Sequence, residues 1–201
     1  TNKHRGTQMR TAEFDTEFVL RQAMHAFMQY GYAKTSMQKL KEVTHLHPGS
    51  IYAAYGNKKG LFLAATEQYQ KDRNQQFTAL FNDQQPILLT LKHYLTVIVD
   101  ECIEGEVAKV CLLTKSISEV EGNDPQICTV LRSNLNAYEH ALAEQLQKAL
   151  NNNEFVSSKS AQQLARFLVM GIYGIRTYAL TNQDPKSLQQ LADDLFAALV
   201  N

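Results

Sequence analysis

The chain has 201 residues, with 20 Lys and Arg against 20 Asp and Glu, a formal net charge of zero at pH 7 and 44% hydrophobic residues. This composition excludes a polybasic tail, an acidic disordered chain and a membrane protein, and it predicts a globular protein that buries a full core. No apolar run approaches the roughly 20 residues of a membrane span, so we expect no membrane contact. Three cysteines without close pairs, Cys102, Cys111 and Cys128, favour a reducing compartment, and we expect the cytoplasm.

The charges are unevenly distributed along the chain. Residues 1–60 contain nine Lys and Arg against four Asp and Glu, a balance of +5, so the remaining residues carry −5. A basic N-terminal part and an acidic remainder suit a partner that is an anionic polymer, and a chance distribution of charge is the alternative.

The first 80 residues predict four helices. From Asp15, apolar residues recur at steps of three and four up to Tyr30, and Gly31 can close this helix in the left-handed region. Thr35 and Ser36 can cap a short second helix, Pro48 can open a third at its first position, and Asn57 can cap a long fourth.

The remainder of the chain predicts further helices. After the polar break 82–86, apolar spacing continues to Cys102, and a shorter apolar segment covers 107–120. Asp124-Pro125 and Asp184-Pro185 each resemble a cap followed by a first-turn proline, and residues 160–180 form one more helix between them. No stretch alternates with period two for long enough to predict a sheet. We therefore expect an all-α protein of about nine helices.

Two short helices joined by a tight turn, over residues 35–55, predict a helix-turn-helix whose second helix enters a major groove. Gly49 and Ser50 leave room for close approach to DNA, while Ile51 faces the core. The hydroxyls of Tyr52 and Tyr55 can bind phosphates. An ordinary helical hairpin is the alternative.

This stretch resembles the N-terminal domain of the tetracycline-repressor-like (TetR) family of transcription regulators. The family pattern is present in order as Gly31-Tyr32, Thr35-Ser36, Gly49-Ser50-Ile51-Tyr52, Tyr55, Lys58 and Leu61-Phe62. The resemblance implies an N-terminal arm and helix-turn-helix DNA-binding domain over residues 1–56. It implies a larger helical domain for effector binding and dimerisation over residues 57–201.

The resemblance also implies the residues that contact DNA. Base edges are read from His47, Pro48, Ser50 and Ala53, while the DNA backbone is held by Thr35, Ser36, Tyr52, Tyr55 and Lys58. Lys3, Arg5 and Arg10 form a flexible basic arm or a solvated tail. The chain departs from the family pattern at Lys41 inside the second helix, at His45 in place of the usual turn glycine, at His47 and at Ala54.

One helix-turn-helix domain makes few base contacts, so sequence-specific binding requires a dimer that binds two half-sites of the DNA about 34 Å apart. The last two predicted helices carry apolar stripes that can pack against their copies: Leu164, Phe167, Leu168, Gly171, Ile175, Tyr178, Leu188, Leu191, Leu195 and Leu199. Gly171 and Gly174 permit close helix approach. The alternative is that these stripes bury the internal core.

In the resembled family a cavity among the middle helices accepts a small molecule. Tyr69, Tyr94, Tyr138 and Tyr173 carry hydroxyls on apolar helical faces and Arg176 can anchor an anion, although ordinary packing also explains them. The acidic stretch of Asp100, Glu101, Glu104 and Glu106 is expected to be a solvated face, and binding of a cation is the alternative. Cys111 lies in a segment similar to that of family members that sense electrophiles and oxidants, and a buried structural thiol is the alternative.

We therefore expect a homodimeric repressor that binds operator DNA and is released by a small-molecule or thiol-reactive effector. No cofactor or metal motif is present, and the sequence has no nucleotide-binding glycine loop or hydrolase motif. Two alternatives remain. One is a helical ligand- or partner-binding protein that has lost DNA binding, which the departures from the family pattern at Lys41 and His45 suggest. The other is an all-α enzyme without a recognisable motif.

Overall fold

The computed structural model describes residues 5–82, 84–104, 116–117, 119–120 and 124–200, with side chains from residue 16 onward. Within these residues the chain forms eight helices and no strand, as expected for an all-α protein: α1 (Arg5–Tyr30), α2 (Met37–Thr44), α3 (Pro48–Tyr55), α4 (Lys58–Leu80), α5 (Ile87–Glu104), α6 (Pro125–Asn151), α7 (Ala161–Tyr178) and α8 (Pro185–Val200). The ninth predicted helix, 107–120, falls largely outside the described residues. None of the eight helices is long and apolar enough to cross a membrane.

The helices begin where the sequence places a capping side chain. Ser36 Oγ accepts a hydrogen bond from Lys39 N at 3.1 Å, and Asn57 Oδ1 accepts one from Gly60 N at 2.9 Å. Asp124 caps α6 in the same way, ahead of Pro125. These caps satisfy N–H groups that have no partner within the first turn, which is why the predicted helix starts are confirmed.

The first helix is longer than predicted. It begins at Arg5, so the backbone of Arg5 and Arg10 is helical and the expected flexible arm is wrong for these two residues. The sequence from 7 to 14 contains neither proline nor glycine, so nothing in it interrupts a helix that continues into the apolar pattern from Asp15. Lys3 lies outside the described residues.

The side chains pack into two hydrophobic cores. One core contains residues of α1–α3, the first half of α4 and the start of α6, and its fully buried members include Phe27, Ile51 and Phe62. The other contains α5, α7, α8 and the second half of α6. Because α4 begins in the first core and its residue Phe77 packs against the second, this helix connects the two parts of the molecule.

Candidate nucleic-acid interface and effector cavity

Helix α3 lies on the surface. Ile51 is fully buried, whereas Ser50, Tyr52 and Ala53 are exposed, and half of the Tyr52 surface is accessible. His47, which precedes the helix, is also exposed. A side chain added at Gly49 would meet no atom within 4 Å. One face of α3 is therefore anchored by Ile51 and the rest is free to approach another molecule.

The turn between α2 and α3 is well formed in spite of its unusual residue. His45 has φ 58° and ψ 15°, the left-handed conformation for which glycine is usual. Thr44 stabilises the turn, because its Oγ1 donates to Leu40 O at 2.6 Å and accepts from Leu46 N at 3.3 Å. The fold accommodates the strain of His45, which costs on the order of 1 kcal/mol.

Two of the predicted DNA-backbone contacts have structural partners inside the chain. Thr35 is fully buried, and its Oγ1 donates to Gly31 O at 2.6 Å. Lys58 Nζ donates to the carbonyl oxygens of Tyr32 at 3.0 Å, Thr35 at 3.2 Å and Ala33 at 3.4 Å. An ammonium has three protons, so these three carbonyls account for all of them. In this structure both residues hold the turn between α1 and α2 rather than face outward.

The remaining predicted backbone contacts differ in exposure. Ser36 is exposed at the start of α2, where unpaired N–H groups favour an anion. Tyr55 is half-buried, and burial raises the pKa of its hydroxyl above the ordinary value. Lys34, two residues before Ser36, is exposed and makes no ion pair among the described residues. Lys34 is a cation that the sequence reasoning missed, because the family pattern drew attention to Lys58.

A glycine that the sequence reasoning did not single out fixes the turn between α3 and α4. A Cβ at Gly60 would lie 1.9 Å from the carbonyl oxygen of Tyr55, so any side chain there would displace the end of α3. Next to it, Lys59 Nζ contacts Asp124 Oδ1 at 2.9 Å. This ion pair joins the start of α4 to the residue that caps α6.

A cavity of about 320 Å³ lies among α4, α5, α6 and α7. Five of the six residues predicted to bind a ligand line it: Tyr69, Tyr94, Tyr138, Tyr173 and Arg176. The sixth, Cys111, lies outside the described residues. The structure thus brings together tyrosines that are far apart in sequence, while ligand binding itself stays a prediction.

The cavity also contains charges that the sequence reasoning missed. Glu101 Oε1 contacts Arg73 Nη1 at 2.5 Å, and Glu101 Oε2 contacts Arg176 Nη2 at 2.6 Å. Burial raises the pKa of Glu101, but the two guanidiniums outweigh burial and hold the pKa below its ordinary value. The expectation that Glu101 belongs to a solvated face is wrong, because both arginines draw it into the cavity wall.

Two tyrosine hydroxyls meet inside the cavity. The Tyr94 and Tyr138 oxygens are 2.8 Å apart, and the Phe77 ring packs edge-on against Tyr94 with centroids 5.8 Å apart. Burial raises the pKa of Tyr138 well above its ordinary value, so both hydroxyls are protonated at neutral pH. The pair is a neutral hydrogen-bonding group in a wall that also contains apolar side chains and the ion pairs of Glu101.

Most of the predicted dimer residues lie in the core of a single chain. Leu164, Leu168, Ile175, Leu188, Leu195 and Leu199 are buried. Gly171 is packed by Leu195 of the same chain, since a Cβ there would lie 2.4 Å from Leu195 Cδ1. These residues pack within the single chain, as the internal-core alternative expects, and a role for them in a dimer stays a prediction.

The outer face of α7 and α8 carries a different set of apolar groups. Met170, Tyr178 and Leu191 are exposed, and Phe167 is half-buried. Gly174 opens onto empty space, because a Cβ there would meet no atom within 4 Å. Of the ten residues predicted for the interface, Phe167, Tyr178 and Leu191 remain available to a second chain.

Comparison with known protein families matches both parts of the chain. Residues 19–65 match the family described as "Bacterial regulatory proteins, tetR family", and residues 89–195 match "Tetracyclin repressor-like, C-terminal domain". The chain belongs to the TetR family. It is therefore a DNA-binding transcriptional regulator and not an enzyme, as the helix-turn-helix pattern predicted.

Individual relatives extend over nearly the whole chain. The Bacillus subtilis (strain 168) protein YezE, named an uncharacterized HTH-type transcriptional regulator, is 27% identical, with 92% of this chain and 95% of the relative covered. The Escherichia coli (strain K12) HTH-type transcriptional repressor ComR is 26% identical, with 89% and 86% covered. A solved structure of the TetR family regulator CifR with operator DNA has a TM-score of 0.79 and 19% identity, covering 90% of this chain and 95% of that one. This likeness shows a shared fold.

Proposed function

We propose that this TetR-family regulator is a homodimeric repressor that reads its operator with two copies of α3 and leaves it when a small molecule occupies the cavity. The exposure of α3 around the single buried anchor Ile51 carries the proposal for DNA. His47, Pro48, Ser50 and Ala53 are the proposed base-reading residues. Tyr52, Ser36 and Lys34 supply the proposed phosphate contacts, with Tyr55 as a partly buried support.

The cavity is connected to the DNA-binding part through α4. Leu61, Phe62 and Ala65 of this helix lie in the core of the helix-turn-helix, and Tyr69, Arg73 and Phe77 line the cavity. A ligand that moves the second half of α4 therefore changes the position of α3. Because the two binding equilibria are linked, operator and effector weaken each other's binding by the same factor.

The dimer is proposed on the outer face of α7 and α8. Met170, Tyr178 and Leu191 supply exposed apolar surface, and the open space at Gly174 permits a close approach of two helices. The repressor assignment is supported by the relative ComR, which is named a transcriptional repressor.

The alternative of a protein that has lost DNA binding has no support in the two residues that motivated it. His45 adopts the left-handed turn conformation, and Lys41 is only half-buried on a helix that remains anchored by the fully buried Leu40. Neither residue disrupts the helix-turn-helix.

Selection of oligonucleotides from a random pool tests the proposal. We expect one preferred duplex, a changed preference for His47→Ala, and uniformly weaker binding for Tyr52→Phe. Glu144→Gln, an exposed position on α6, is the matched control and should leave both unchanged. Failure to enrich any sequence, or identical behaviour of all variants, would contradict the proposal.

A further inference from the structure

Two hydroxyls in the cavity wall carry one proton that the chain does not use. The Tyr94 and Tyr138 oxygens are 2.8 Å apart, so one hydroxyl donates a hydrogen bond to the other. Each tyrosine has a single hydroxyl proton, and the accepting hydroxyl therefore keeps its own. Within the part of the chain that the structure describes, neither oxygen has another hydrogen-bond partner. The pair thus presents one donor to whatever occupies the cavity.

This donor lies away from solvent and stays protonated. Burial is the largest of the effects that raise the pKa of the Tyr94 and Tyr138 hydroxyls above the ordinary value. A buried donor without a partner costs free energy, and such donors are rarer in proteins than under-satisfied oxygens. The pair therefore favours a ligand atom that accepts a hydrogen bond over one that only donates.

The surface next to the hydroxyls suits an aromatic ring. The Phe77 ring packs edge-on against Tyr94, and Val97, Leu135 and Ile172 line the same cavity. Because Phe77 contacts the ring that carries one of the hydroxyls, the apolar surface begins directly beside the pair. The acceptor atom of a ligand should therefore lie close to its ring. A volume of about 320 Å³ is at the lower end of small-molecule sites, which suits one or two rings.

We propose that the cavity binds a small aromatic carbonyl compound, whose oxygen accepts the unused proton of the Tyr94–Tyr138 pair and whose ring lies beside Phe77. This inference rests on the proposed function, in which the cavity is the effector site. An aryl ketone satisfies the donor with its oxygen and covers the apolar wall with its ring. A hydrocarbon of the same shape covers the wall but leaves the donor unpaired.

Two uncharged probes of the same shape test the inference on the full-length protein. They are acetophenone and α-methylstyrene, in which a methylene replaces the carbonyl oxygen. α-Methylstyrene is the more apolar of the two, so it would bind more tightly to a cavity that offers no hydrogen bond. In NMR titrations at neutral pH we expect acetophenone to bind at least about fivefold more tightly, because the hydrocarbon leaves a buried donor unpaired.

A double variant locates the preference at the hydroxyl pair. Tyr94→Phe with Tyr138→Phe removes both hydroxyls together, so no buried hydroxyl is left without its partner and the fold should be kept. In this variant α-methylstyrene should bind at least as tightly as acetophenone. Tyr30→Phe is the control, because Tyr30 is an exposed tyrosine at the end of α1, outside the cavity lining. If the double variant fails to fold, the ratio measured on the unmodified protein still decides.

The inference is overturned if α-methylstyrene binds the unmodified protein as tightly as acetophenone, if the double variant keeps the preference, or if acetophenone does not bind at about 5 mM, the range of very weak ligands. Gel shifts with the selected operator keep the two proposals apart. Acetophenone that binds with the expected preference without releasing the operator contradicts the effector role and leaves the carbonyl preference standing. Release by α-methylstyrene but not by acetophenone contradicts the carbonyl preference and leaves the effector role standing.

Discussion

Replacement of Lys58 by methionine separates a structural role from a DNA contact. Methionine keeps the unbranched stem but removes the ammonium, so the carbonyl oxygens of Tyr32, Ala33 and Thr35 lose a shared charged donor. Hydrogen bonds to charged groups contribute about 1.5–3 kcal/mol each when buried. Because these carbonyls are partly exposed and water replaces the donor, we expect a total loss of about 1–2 kcal/mol in the free energy of unfolding.

Two measurements on Lys58→Met decide between the roles. Thermal unfolding followed by circular dichroism should show a decrease in Tm of about 2–8 °C, given about 2–4 °C for each kcal/mol in a chain of this size. The salt dependence of operator binding reports the number of phosphate contacts. Each contact contributes about 0.9 to the magnitude of the slope of log K against the logarithm of the salt concentration. We expect that slope to stay unchanged for Lys58→Met.

Lys34→Met is the matched control, since Lys34 is exposed and makes no ion pair among the described residues. It should reduce the slope by about 1.8 in a dimer, one contact in each protomer, and change the free energy of unfolding by less than about 0.5 kcal/mol. A reduced slope for Lys58→Met with an unchanged Tm would show that the ammonium contacts a phosphate and would refute the assignment to the α1–α2 turn.

Three further predictions concern other parts of the molecule. Gly60→Ala should lower the free energy of unfolding by about 2–3 kcal/mol, because its Cβ would lie 1.9 Å from a backbone oxygen. Gly49→Ala lies in open space and should change the free energy of unfolding by less than about 1 kcal/mol. Equal effects of the two variants in urea denaturation would contradict this reasoning. Gly174→Arg should convert a dimer into a folded monomer in analytical ultracentrifugation, and a persistent dimer would show that the interface lies elsewhere. The Arg21 guanidinium lowers the pKa of Asp72, so the stabilisation by Asp72 is present above about pH 4 and is lost as the pH falls through the lower folded pKa. Asp72→Asn should therefore cost about 0.5–1 kcal/mol at pH 7 and less at about pH 3, and a cost independent of pH would contradict the ion pair.

The features that could be predicted from the sequence are those determined within a few residues. Ser36, Asn57 and Asp124 each cap the helix that follows, because the donor and the acceptor are three residues apart. Ile51 could be predicted as the anchor of α3, because a helix of eight residues packs one apolar side against its neighbours. The tyrosines of the cavity were found because hydroxyls on apolar helical faces are visible in the local pattern.

The features that were missed depend on partners far along the chain. Lys58 reaches carbonyls 23 to 26 residues earlier, so its position in the family pattern did not show its role in this structure. Glu101 stands in an acidic run, and only Arg73 and Arg176, 28 and 75 residues away, identify it as part of the cavity.

The stripes of α7 and α8 pose a further difficulty, because periodicity identifies an apolar face but not its partner. Leu195 fills the space above Gly171 within one chain, whereas Gly174, one turn further, is open. Both glycines suit close helix packing in sequence, and only the packed structure distinguishes the internal position from the external one.

Hydroxyl-radical footprinting of the full-length protein on its selected operator tests the central claim most directly. Two exposed α3 helices in one dimer should protect two half-sites on the same face of the duplex, centred one helical turn, about 34 Å, apart. A single protected site, or two sites on opposite faces of the duplex, would contradict the account.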